Sequence, residues 1–138
     1  MSARRTIAAV ALVAVALAVA GCGGGDEESA DTEDPTTLPA PIPAGTALQG
    51  SVGPGFEISL ATEDGTSVSS LSPGSYELAV EDLSDFHNFH LTGPGVDVST
   101  SVAEEGTESF QVELEAGSYS FQCDPHASQM NGSFEVSG

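Results

Sequence analysis

The chain has 138 residues and a formal charge of −19, with 21 acidic side chains against only two basic ones, Arg4 and Arg5. Phosphate recognition runs on Lys and Arg, so this balance excludes nucleic acid as a natural partner. The length allows one small core and a tail rather than two domains.

At the N-terminus, Arg4 and Arg5 lead into an apolar run from Ile7 to Ala20. A charged start followed by a short apolar stretch is the pattern of a secretory signal, and the run is too short for a comfortable membrane span. It ends in Val19-Ala20-Gly21-Cys22, which resembles the bacterial lipobox. That resemblance implies that Cys22 is acylated and becomes the mature N-terminus. An ordinary secretory cleavage that leaves a spare cysteine stays open, as does the choice between the general and twin-arginine export routes. Residues 1–21 are thus read as a lipoprotein signal peptide, and the protein is expected at the extracytoplasmic face of the cell envelope, lipid-anchored to the membrane.

Residues 22–45 read as a linker, with Gly23-Gly24-Gly25, an acidic stretch from Asp26 to Asp34, and Pro35, Pro39, Pro41 and Pro43. Such a composition cannot bury a core. As a flexible chain it would reach roughly 25–30 Å, and further where charge and proline stiffen it.

Residues 46–138 carry the pattern of strands. Phe56-Glu-Ile58-Ser-Leu60, Tyr76-Glu-Leu78-Ala-Val80 and Phe110-Gln-Val112-Glu-Leu114 alternate apolar with polar residues, which places one face on a core and the other in water. Turn signals fall at Gly53-Pro54-Gly55, Asp64-Gly65, Pro73-Gly74, Gly93-Pro94-Gly95, Glu105-Gly106 and Asn131-Gly132. Many short strands with frequent turns predict an all-β sandwich or barrel. Leu71-Ser-Pro-Gly-Ser-Tyr76 and Leu114-Glu-Ala-Gly-Ser-Tyr119 echo each other, and both resemble tyrosine corners, in which the hydroxyl ties back to nearby backbone.

The chemistry concentrates near the C-terminus, where Cys123, His126 and Met130 fall within eight residues, with His87 upstream. One thiolate, two imidazoles and a thioether suit copper cycling between two oxidation states, whereas hard ions want carboxylates and carbonyls. Strand parity separates the candidates for the first histidine. His87 shares a face with Phe89 and Leu91, while His90 shares one with Phe86 and Asn88, so His87 faces the core and His90 the solvent edge. By the same rule Cys123 points inward with Tyr119 and Phe121. With Cys22 assigned to lipid, Cys123 is unpaired, which in an exported protein favours ligation over packing. Gln129 is an alternative axial ligand to Met130, and zinc at the same donors stays open.

Phe86-His87-Asn88-Phe89 together with Tyr119-Ser-Phe-Gln-Cys123-Asp-Pro-His126 and Met130 resembles the type 1 copper proteins, plastocyanin and its relatives among the cupredoxins. The resemblance covers residues 46–138. It implies a Greek-key β-sandwich with one copper held by His87, Cys123, His126 and Met130, and one-electron transfer rather than enzymatic turnover. It also implies that Asn88 hydrogen-bonds across to the cysteine-bearing loop. Three residues separate His126 from Met130, where plastocyanin-like loops leave four and amicyanin-like loops two. Pro125 stiffens the turn between Cys123 and His126 and removes a backbone donor. The acidic chain is expected to be a monomer that meets a redox partner with a basic docking surface, or else to owe its charge to solubility or high salt. Copper sequestration or delivery without cycling is the alternative function, and a purely structural sandwich is a second one.

Overall fold

In a computed structural model that describes residues 39–138, the alternating segments become strands of two facing sheets. The signal segment, Cys22 and the linker as far as residue 38 lie outside the described residues. The strands are β1 (Leu48–Val52), β2 (Ile58–Thr62), β3 (Ser70–Leu71), β4 (Gly74–Asp82), β5 (His90–Gly93), β6 (Val96–Ser99), β7 (Gly106–Leu114), β8 (Gly117–Gln122) and β9 (Asn131–Val136). One sheet has the order β2-β1-β4-β7 and the other β3-β9-β8-β5-β6. Two pairings, β1 with β4 and β3 with β9, are parallel, and the other strand pairs are antiparallel. The chain changes sheet after β2, β3, β4, β6 and β7, so both sheets are stitched together throughout. This is the expected all-β sandwich, and no α-helix occurs among the described residues.

Alternation explains the core. Tyr76, Leu78 and Val80 of β4, Val112 and Leu114 of β7, and Tyr119 and Phe121 of β8 are all buried, with polar neighbours facing out. Both tyrosines form the expected corner. The Tyr76 hydroxyl donates to the carbonyl of Ser72 at 2.6 Å, and the Tyr119 hydroxyl lies 2.9 Å from the Pro94 carbonyl and 3.1 Å from that of Glu115. The Glu115 N–H donates back to Tyr119 at 3.0 Å.

Four expectations are corrected. Phe56 does not open a strand, because the loop after β1 runs on to residue 57 and carries its ring out to 59 % exposure. Asn131-Gly132 is not a turn but the start of β9, and its glycine serves close packing: a Cβ there would stand 2.3 Å from the Phe121 ring. Parity also misplaces Asn88, which is buried like its neighbours His87 and Phe89, because residues 87–89 precede β5 and no ladder enforces alternation. Finally, pairing with the sandwich begins before residue 46. The Ile42 N–H donates to Ser70 at 2.9 Å and its carbonyl accepts from Ser72 at 2.8 Å, extending the sheet beyond β3. Pro41 and Pro43 lack N–H groups, which suits an edge.

Candidate metal centre

Three loops meet at one end of the sandwich. The β1–β2 loop contributes Phe56, the β4–β5 loop His87, and the β8–β9 loop Cys123, His126 and Met130. Cys123 is the residue after β8 and inherits the inward parity of Tyr119 and Phe121, so it is fully buried and free of any disulfide. A 3₁₀ turn, Asp124–His126, then carries the chain away from the core, with Pro125 in its first positions, where the missing N–H costs nothing. His126 is half-buried at the end of this turn.

Backbone bonds close the loop on itself. The Cys123 N–H donates to the Met130 carbonyl at 3.0 Å, the His126 N–H to the Cys123 carbonyl at 3.0 Å, and the Met130 N–H to the His126 carbonyl at 2.9 Å. Met130 is thereby returned to the interior beside Cys123 and is fully buried, whereas Gln129 faces solvent. The three-residue spacing after His126 thus suffices to bring a thioether, not an amide, back to the buried side.

The donor atoms converge. His87 Nδ1 and His126 Nδ1 are 3.0 Å apart, and Cys123 Sγ lies 3.5 Å from the first and 3.6 Å from the second. The three residues form a group whose donor atoms all lie within 4.8 Å of one another. Bonds of about 2.0 Å to nitrogen and about 2.3 Å to sulfur imply donor–donor edges of about 3.5 Å in a trigonal arrangement, so the triangle is near the size one ion needs. Two imidazoles and a sulfur, with a buried thioether alongside, fit copper better than any hard ion.

Surrounding side chains hold these donors in place. Asn88 Nδ2 donates to Asp124 Oδ2 at 2.9 Å, and the Asp124 N–H donates to Asn88 Oδ1 at 2.8 Å, which makes the cross-link from the His87 segment to the cysteine loop. Burial pushes the Asp124 carboxyl up, but bonds from Asn88, His90 and Gln122 outweigh it and hold its pKa below the usual carboxylate value. His90 is not in the donor group. Its two nitrogens face Asp124 and Asp97, both at 2.9 Å, and these partners raise its pKa, with the Asp124 bond the largest cause.

Residues to which the sequence reading gave no role at the metal complete the site. The Phe56 ring packs edge-on to His126, with centroids 5.0 Å apart, and 5.6 Å from His87, while Phe86 lies 4.7 Å from His87. Gly53, at φ +76°, brings backbone so near that a Cβ would stand 3.0 Å from Ser84 and 3.6 Å from the His87 ring. The only advance signal was an aromatic next to a Gly-Pro-Gly turn, and it reads equally well as a strand.

No protein-family model matches the chain, and no curated protein matches it. Among solved structures, reduced rusticyanin is similar at 18 % identity over 71 % of this chain and 81 % of that one, with a TM-score of 0.47. Rusticyanin from Thiobacillus ferrooxidans is similar at 20 % identity over 71 % and 79 %, with a TM-score of 0.46. Likeness of that degree does not carry a function from one chain to another.

Proposed function

We propose that this protein is an exported, cupredoxin-type copper protein that carries single electrons between redox partners. The observation that supports this reading is the convergence of His87 Nδ1, Cys123 Sγ and His126 Nδ1, beside a buried Met130, in a loop closed by its own backbone bonds. Cys123, His87, His126 and Met130 would hold the ion. Copper held there supplies a one-electron couple. The chain's part is to keep the donors in one geometry, so that little has to move when the charge changes. Four protein donors leave no open position for a substrate, which argues for a carrier rather than an enzyme.

His126 is the most accessible ligand, and the exposed rings of Phe56 and Phe86 lie around the two histidines. Electrons leave by that edge, toward a partner whose basic groups complement a chain with no Lys or Arg beyond Arg5. Acylation at Cys22 would tether the monomer to the membrane through the residues that precede Ile42.

Voltammetry of the copper-loaded chain tests the carrier reading. A reversible one-electron wave is the expected result. Binding of Cu(I) with no reversible oxidation would assign the site to sequestration or delivery.

A further inference from the structure

Among the described residues, Asp82 is an acidic side chain carried into the interior, 3 % exposed at the end of β4. Its partners all lead to the segment that carries His87. Oδ1 accepts the N–H of Ser84 at 3.2 Å, at the start of that segment. Oδ2 accepts the hydroxyl of buried Thr100 at 3.0 Å, from beyond β6. The same Thr100 oxygen accepts the N–H of Phe89 at 2.9 Å, and the Thr100 N–H donates to the Phe89 carbonyl at 3.0 Å. One carboxylate therefore ties down both ends of residues 84–89. The ring of Phe89 is pinned as well, since it fills the space over Gly50, where a Cβ would stand 3.0 Å from it.

Between these anchors aromatic rings pack on His87, but no group hydrogen-bonds its buried Nε2. A metal-bound histidine ordinarily has its outer nitrogen fixed by a partner that sets the ring's orientation. Here the backbone on either side is fixed instead.

We propose that Asp82, acting through Ser84 and Thr100, is the positioning residue that presents His87 Nδ1 to the metal. The inference rests on the copper reading above. Burial raises the Asp82 carboxyl above its ordinary pKa, outweighing the bonds from Thr100 and Ser84.

Full-length wild type is compared with Thr100→Val, which removes the hydroxyl at constant shape, Thr100→Ser, which keeps it, and Asp82→Asn. Cu(II) is the probe, read by competition affinity and by electron paramagnetic resonance, and amide exchange of residues 83–89 is followed in the metal-free chains. Thr100→Val is expected to lose about 10- to 100-fold in Cu(II) affinity with an altered resonance spectrum, while Thr100→Ser matches wild type. Asp82→Asn, which keeps the shape but weakens the bonds to Ser84 and Thr100, is expected to lower Cu(II) affinity in the same direction. If Asp82→Asn does not fold, the two Thr100 variants decide alone. A lower melting temperature in Thr100→Val with unchanged affinity and spectrum would overturn the proposal, leaving the network a merely structural one. Should wild type itself not bind Cu(II), the function reading falls. The clamp is then judged on amide exchange: faster exchange in Thr100→Val than in Thr100→Ser supports it, and equal rates refute it.

Discussion

His90 is the cationic partner in both ion pairs found among the described residues, with Asp97 on β6 and Asp124 on the cysteine loop. Both bonds raise its pKa above the ordinary value of 6.5, the Asp124 bond most. A group whose folded pKa is raised stabilises the fold fully below its unfolded pKa, and that contribution is lost as pH rises through the folded value. The difference in melting temperature between wild type and His90→Ala is therefore expected to be largest below about pH 6.5 and to shrink at alkaline pH. A difference that grew with pH would contradict the assignment. At this scale the sequence was legible where chemistry is local. Cys123, His126 and Met130 could be read together because one loop holds them, whereas parity placed His87 inward without a ladder to enforce it, since residues 87–89 precede β5 and are all buried. Asp82, Thr100 and Asp124 could not, because an acid's burial and its partners 18 or 36 residues away have no signature in a single chain.

Elements were legible where alternation ran the length of a strand, and failed at Phe56, where the five-residue pattern began in a loop. β4 and β7 match their predicted cores, and both tyrosine corners appear where the repeated Gly-Ser-Tyr placed them. Glycine was the ambiguous letter. Asn131-Gly132 looks like a turn, yet Gly132 is small because Phe121 lies on it, just as Tyr119 lies on Gly93, where a Cβ would stand 2.2 Å from the ring. Gly132→Ala is expected to lower stability by about 1–3 kcal/mol through overpacking. Gly55→Ala, with nothing within 4 Å of the added methyl, serves as its control. Thermal or urea unfolding measures both, and equal stability of the two variants would count against the close packing of β8 on β9.

For the whole molecule, charge is the dominant fact: 21 carboxylates face no Lys or Arg beyond Arg5, so self-repulsion opposes folding at neutral pH. Raising salt from about 0.1 M to about 1 M shortens the screening length from about 10 Å to about 3 Å. The melting temperature is expected to rise across that range, and a fall would mean that local attractions, not net repulsion, govern stability. The same screening should slow association with a cationic redox partner. Charge could be summed from the sequence, but which end of the sandwich gathers the site could not, since that depends on three loops meeting after five changes of sheet. The central claim is that the gathered donors bind copper through the Cys123 thiolate. Its most direct test is the visible absorption spectrum of the full chain after addition of Cu(II), beside that of Cys123→Ser. An intense thiolate-to-copper charge-transfer band in wild type that is lost in the variant is the predicted result. Its absence from wild type, or its persistence in Cys123→Ser, would contradict the account.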